Sequence, residues 1–208
     1  TGKLGAWSMA HLTGLDERPG DDALANITRV RRDLAGSSSA GLTLTSREGG
    51  GAFNRVIAAD TRLIFRRLYF FEAQPGSSWT GGDGLGTRSA PVWKLEVDRN
   101  GRAWGFNYSI NTIGDDFRAH LGFVPRTGIT RVHAFNRLSW YGARGAMLES
   151  FTAFFGPDYV FRESELSRDG AIEGKENINL TARFRGGWEL TGSLGRSFYE
   201  LDPGDYIG

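Results

Sequence analysis

The chain has no cysteine, two methionines and six prolines in 208 residues. Without cysteine, a disulfide framework, thiolate metal sites and thiol catalysis are all excluded. Excess charge of one sign is also lacking: 25 Lys and Arg stand against 24 Asp and Glu, a formal net charge of +1. That balance gives no global electrostatic case for a nucleic-acid partner. No stretch approaches the ~20 apolar residues of a spanning helix, so a helical membrane protein is excluded. A barrel spanner is not, because every second residue of its strands can be polar. No leader pattern opens the chain, and Thr1 falls inside a strand-like pattern, which predicts a processed or excised piece of a longer protein.

What is present is period two. From Pro91 to Arg99, Trp93, Leu95 and Val97 alternate with Lys94, Glu96 and Asp98. Asn100-Gly101 is a tight-turn dipeptide, after which Trp104, Phe106, Tyr108 and Ile110 alternate with polar residues and glycine, predicting a hairpin. Ile178, Leu180, Ala182 and Phe184 repeat the pattern before Gly186-Gly187, and Trp188, Leu190, Leu194 and Phe198 continue it afterwards. Between them, Ile129 to Tyr141 places Val132, Ala134, Leu138 and Trp140 opposite Arg131, His133 and Arg137, with Ala146 to Phe155 as its partner. The N-terminal half supplies Lys3–Thr13, Ala25–Leu34, Ser38–Arg47, Arg55–Phe65 and Arg67–Gln74, for eleven candidate strands in all.

The connections between these strands alternate in length. Gly14–Leu24, Glu48–Asn54, Pro75–Ala90, Ile113–Gly128 and Gly156–Glu176 read as the longer set, and short turns separate them. Short turns at one end and long loops at the other are the asymmetry of an outer-membrane barrel. A soluble antiparallel sandwich also alternates, but its strands are usually shorter. The aromatics at the strand ends, among them Trp93, Trp104, Trp140, Trp188 and Tyr199, read as interfacial girdles. The expected fold is an all-β, antiparallel up-and-down transmembrane barrel segment occupying residues 1–208 as one domain. Eleven strands leave the first and last running the same way, so further strands are expected in the parent protein.

Several stretches resemble a family of bacterial outer-membrane β-barrel proteins whose full-length members carry an N-terminal domain like a family-9-type carbohydrate-binding sandwich. They are Gly2-Lys3-Leu4 leading to Trp7-Ser8, Arg29 to Asp33 followed by Ser38 to Gly41, Asn54 to Asp60, and Tyr199 to Asp202. The most specific is Gly114-Asp115-Asp116-Phe117 running into Gly122-Phe123-Val124-Pro125-Arg126-Thr127-Gly128-Ile129. After Phe117 the chain reads Arg118-Ala119-His120, a departure from the usual Asn-Pro-Glu-type continuation. The resemblance implies a bacterial outer-membrane location with membrane lipid as neighbour. The family's links to carbohydrate and hydrolysis belong to the N-terminal region and are not carried to these residues.

No pattern nominates a catalytic, cofactor or metal site. His133, beside Arg131 and Arg137, could serve as a general base, but a polar lumen residue is the simpler assignment. Asp21-Asp22, Asp115-Asp116 and the carboxylates between Asp158 and Glu176 lack the spacing of a calcium loop. Gly82-Asp83-Gly84-Leu85-Gly86 lacks the Lys-Ser/Thr pair and following helix of a phosphate loop. The lumen-facing candidates are Asp60, Arg62, Lys94, Glu96, Asp98, Arg131, His133, Arg137, Arg183, Arg185 and Glu189. The Ile113–Gly128 connection holds more apolar surface than a solvated loop should show. It is expected to fold inward as a constriction, with Phe117 and Phe123 packed and Arg126 paired to Asp115 or Asp116.

Three functions follow in order: a non-enzymatic outer-membrane component, pore-like or anchoring a surface domain; a sheath or partner within a larger envelope complex; and an outer-membrane hydrolase acting on lipid or polysaccharide.

Overall fold

The computed structural model describes residues 1–17, 22–82, 84–165 and 170–200. Asp21, Asp169, Asp83 and residues 201–208, singled out in the sequence, lie outside them. Twelve strands follow one another: β1 Gly2–Leu4, β2 Trp7–Asp16, β3 Ala23–Asp33, β4 Ser39–Gly49, β5 Ala52–Phe65, β6 Tyr69–Gly82, β7 Leu85–Asn100, β8 Trp104–Ile113, β9 Ile129–Tyr141, β10 Leu148–Arg162, β11 Glu173–Phe184 and β12 Trp188–Tyr199. They form one sheet in sequence order. The architecture is all-β, antiparallel and up-and-down, as the alternation predicts. β1 and β12 are its edges, and the sheet is not closed into a barrel.

The strand count corrects the expected eleven. Lys3–Thr13 is broken at Gly5, whose φ of 57° lies in the left-handed region, and the chain folds back with Leu4 opposite Trp7. Connection lengths are corrected too. β4 and β5 are joined by Gly50-Gly51 alone, at φ 58° and 81°, the two positive dihedrals of a type I′ hairpin. Residues 75–82 and 85–90 are strand rather than loop, because β6 runs on to Gly82 and β7 begins at Leu85. Likewise β10 extends to Arg162 and β11 starts at Glu173, so the strict short/long alternation is absent. Of the expected long connections, the one that follows β8 stays long, from Gly114 to Gly128, one residue less than expected because Ile113 closes β8.

Backbone contacts gather into two compact units, Thr1–Glu96 with Asn111–Ile129, and Val97–Ile110 with Thr130–Gly208. In each unit, residues directly opposed across a strand pair share a face. In the first, one face carries Met9, Leu15, Val30, Leu24, Leu42, Leu44, Ile57 and Phe65; the other carries Arg29, Arg31, Thr43, Arg47, Asn54, Asp60, Arg62 and Glu72. In the second, Phe151, Ile178, Leu180, Ala182, Leu190 and Leu194 share one face, and Asp158, Lys175, Asn179, Arg183 and Glu189 the other. The usual direction of burial is reversed. In the first unit Leu42, Leu44 and Ile57 on the apolar face are 38%, 41% and 37% exposed, whereas Asn54 and Ser78 on the polar face are 1% and 0% exposed.

Candidate functional site: a polar sheet face carrying a docked loop

In the first unit the polar face is held together by ion pairs that run across the strands. Arg29 on β3 donates to Thr43 Oγ1 on β4 at 2.5 Å and to Asp60 Oδ1 on β5 at 2.9 Å. The pair fits because Gly41 lies beneath it: a Cβ there would stand 2.7 Å from Asp60 Oδ2 and 2.9 Å from Arg29 Nη2. Further along, Arg62 reaches Glu72 at 3.5 Å, Lys94 reaches the other oxygen of Glu72 at 3.8 Å, and Lys94 also pairs with Glu96. Arg47 meets Asp16 at 3.3 Å. Four of the sequence-nominated residues, Arg62, Lys94, Glu96 and Asp60, therefore sit in this network. Arg29, named in the sequence only within a family-like stretch, and Thr43 and Glu72 were not among the lumen candidates; each is the cross-strand neighbour that register reveals.

The loop after β8 docks on the same face. Asn54, on β5, donates from Nδ2 to Thr80 Oγ1 at 2.8 Å and to the Arg118 carbonyl at 2.9 Å, and its Oδ1 accepts from the His120 backbone N–H at 2.9 Å. Ser78 Oγ accepts from the Arg118 backbone N–H at 3.1 Å. Two buried strand side chains thus satisfy three backbone groups of a segment that has no ladder of its own. Gly114 begins the loop by donating to the Pro91 carbonyl, and Phe117 closes a turn onto Gly114. Phe117 is 5% exposed, as expected.

One expectation for this loop is corrected. Phe123 is 89% exposed, because it follows Gly122 beyond the docked turn instead of packing under it. Asp116 pairs with Arg88 of β7 at 3.3 Å. The Asp115 carboxylate lies where a Cβ on Gly128 would be, and Gly128 has φ 70°, so that glycine is required twice over. The His120 imidazole is held below its usual range, chiefly by partial burial and then by the Arg47 and Arg118 guanidinium groups.

In the second unit, Arg131 on β9 donates to both carboxylate oxygens of Asp158 on β10, and His133 Nδ1 lies 3.6 Å from Asp158 Oδ2. His133 is stacked on Phe135, which in turn stacks on Phe154 at 5.6 Å. Arg137 turns away from His133 and donates to the Gly101 carbonyl. Asp158 was read as a loop carboxylate; its partnership became visible once β10 was seen to continue through it. Arg183 and Glu189 pair across β11 and β12 at 2.7 Å. Asp98 is half-buried on β7. Arg185 is not on a strand face: β11 ends at Phe184, and Arg185 sits in the turn, donating to the Gly145 carbonyl at 3.4 Å.

The three histidines occupy three separate settings, with His11 bonded to Thr28 and Thr13 on the apolar face, His120 in the loop and His133 beside Asp158. What the arrangement does is line a surface with alternating, mutually satisfied charge and place a structured loop across part of it. Comparison of the chain with protein-family models, with curated proteins and with solved structures gives no match, so its function is argued from this geometry.

Proposed function

We propose that the chain forms wall of a bacterial outer-membrane β-barrel and works as a pore-like, non-enzymatic component, its apolar face against lipid and its polar face toward water. One observation carries the reading. Large apolar side chains are exposed on one face while charged ones pair across the strands on the other, which is the arrangement lipid outside and water inside would select. A water-soluble sheet would lose about 1.5–3 kcal/mol for each large apolar side chain left in solvent instead of a core. In this reading the Gly114–Gly128 loop narrows the lumen.

A matched pair on β11 tests it. Leu180 lies on the apolar face between Ala153 and Gly192, and Asn179 next to it lies on the polar face between Phe154 and Ser193. Leu180→Arg should cost ~2–4 kcal/mol at midplane depth and prevent heat-modifiable assembly in the outer membrane, while Asn179→Arg should assemble. Equal assembly of the two variants refutes the face assignment. Planar-bilayer recordings of the assembled chain should show discrete conductance steps, and their absence argues against an open pore.

A further inference from the structure

In each unit, taken by itself, the turns at one end of the strands carry charge of one sign. In the first unit these are Gly5-Ala6, Leu34 to Ser38 and Arg66 to Leu68; in the second they are Gly101 to Ala103, Gly142 to Met147 and Arg185 to Gly187. They contain Arg66, Arg67, Arg102, Arg144 and Arg185 and no Asp or Glu. All five arginines are exposed, and among the described residues no carboxylate pairs with any of them. The connections at the opposite strand ends differ. Those of the first unit hold Glu17, Asp22, Asp115 and Asp116 beside Arg118 and Arg126, and that of the second holds Glu163.

Arg66 and Arg67 keep their charge there at the expense of the turn. Both have positive φ, 49° and 56°, where Asn-Gly is the favoured pair. Strain of this kind persists where the side chains serve something other than the backbone.

Their level shows what they meet. Phe65 and Tyr69 face each other at the end of the apolar face of the β5–β6 hairpin, and Phe184 and Trp188 do so for β11–β12. Arg66, Arg67 and Arg185 follow directly beyond these aromatic pairs, and Arg102 and Arg144 stand two and three residues beyond Trp104 and Tyr141. At ~3.3 Å per residue and a tilt near 45°, all five lie within about 7 Å past the girdle, inside a headgroup layer that is itself roughly 5–7 Å thick. Arg102 stacks over the Tyr141 ring at 4.5 Å, as suits a cation at that boundary. What the layer offers there is phosphate, which a planar guanidinium binds through two parallel N–H groups. A zwitterionic headgroup also brings an ammonium, and these turns have no carboxylate to receive it. The complement is a headgroup of net negative charge. Short turns of outer-membrane barrels face the periplasm, where the leaflet is glycerophospholipid.

We infer that the short-turn ends bind the headgroups of anionic glycerophospholipid, through Arg66 and Arg67 in the first unit and Arg102, Arg144 and Arg185 in the second. The inference rests on the wall reading above and adds to it which lipid meets which end.

The full chain, carried in nanodiscs of equal parts phosphatidylglycerol and phosphatidylethanolamine, should retain the first over the second by roughly tenfold or more when native mass spectrometry reads the bound lipid, because each arginine beside an anionic headgroup is worth about fivefold. Arg66→Asn with Arg67→Gly, combined with Arg102→Gln, Arg144→Gln and Arg185→Gln, should bring the two lipids to parity. Lysine at all five positions should keep the preference. Arg66→Asn with Arg67→Gly alone installs the pair the turn favours, so anionic lipid lost by that variant is not lost fold. Equal retention of the two lipids by the wild-type chain, or a preference that survives in the neutral variant, overturns the lipid inference alone. Displacement of the lipid by inorganic phosphate assigns the arginines to a free anion and overturns it too. A chain that never fractionates with the membrane overturns the wall reading as well.

Discussion

Removing the Asn54 side chain should undock the loop that crosses the polar face. Asn54→Ala deletes three hydrogen bonds, to Thr80 Oγ1, to the Arg118 carbonyl and from the His120 N–H. The bonds to Arg118 and His120 hold the loop and are worth ~1 kcal/mol net each, so docking should weaken by about 2 kcal/mol, or on the order of 30-fold. Hydrogen exchange reads this directly at two amides, because the Arg118 N–H is bonded to Ser78 and the His120 N–H to Asn54. Both should exchange about 30-fold faster in the variant. The β11 amides, in the other unit, serve as the control for global loosening. Asn54→Asp keeps the acceptor for His120 and loses both donated bonds, so it should fall between wild type and Asn54→Ala. If the Arg118 and His120 amides are as protected in Asn54→Ala as in wild type, Asn54 does not hold the loop and the reasoning fails.

Two more outcomes follow from the same structure. Because His120 is held below its usual range, folding favours its neutral form; docking should be fully present above the ordinary histidine range near 6.5 and be lost as pH falls below it, so exchange at the Arg118 amide, corrected for intrinsic rate, should rise on acidification, and His120→Gln should abolish that dependence. Arg66 and Arg67 occupy the β5–β6 turn at φ 49° and 56° with Leu68 N–H bonded to the Phe65 carbonyl, a type I′ turn made of two residues that dislike it; Arg66→Asn with Arg67→Gly should stabilise the hairpin by ~1–2 kcal/mol in urea titration, and an unchanged midpoint would refute the strain.

How much was legible in the sequence depends on where glycine fell. β9 has the bounds that its alternation gives, Ile129 to Tyr141, and β8 and β12 differ from the reading only at one end. Glycine-rich stretches were the failures. Gly76 and Gly81 made 75–90 read as a loop, yet a Cβ on Gly76 would come within 2.9 Å of the Ile57 carbonyl and 3.1 Å of Val92, and one on Gly81 within 3.1 Å of the Phe53 ring. Glycine there permits close approach inside a strand. Gly174 plays the same part beneath Tyr159 and Phe198. Conversely, Gly5 does break a strand, and the resulting count of twelve removes the parity argument for further strands. The polar face was legible one strand at a time, as with Arg62 and Lys94, but not its pairings. Glu72 and Asp158 became partners only through register. Apolar content flagged the loop after β8, but composition does not distinguish Phe117, tucked under the turn, from Phe123 beyond it.

Register also places the docked loop relative to the membrane in the proposed reading. On β5, Phe53 stands near one end and Phe65 at the other, both on the apolar face, and Trp79 on β6 lies opposite Arg55 on that face. Twelve residues separate the two phenylalanines. At ~3.3 Å per residue and a tilt near 45° that is about 28 Å along the normal, close to the ~25 Å spacing of two interfacial aromatic girdles. Arg55 stacks over the Phe53 ring at 4.9 Å and pairs with Glu48, as suits a polar boundary. Asn54 lies between Phe53 and Arg55 in sequence and points to the opposite face. The loop bound to Asn54 is therefore level with this girdle, at the end of β5 away from the β5–β6 turn. In that reading a constriction built there narrows the mouth of the lumen and leaves the mid-depth ion pair of Arg29 with Asp60 open to whatever passes it.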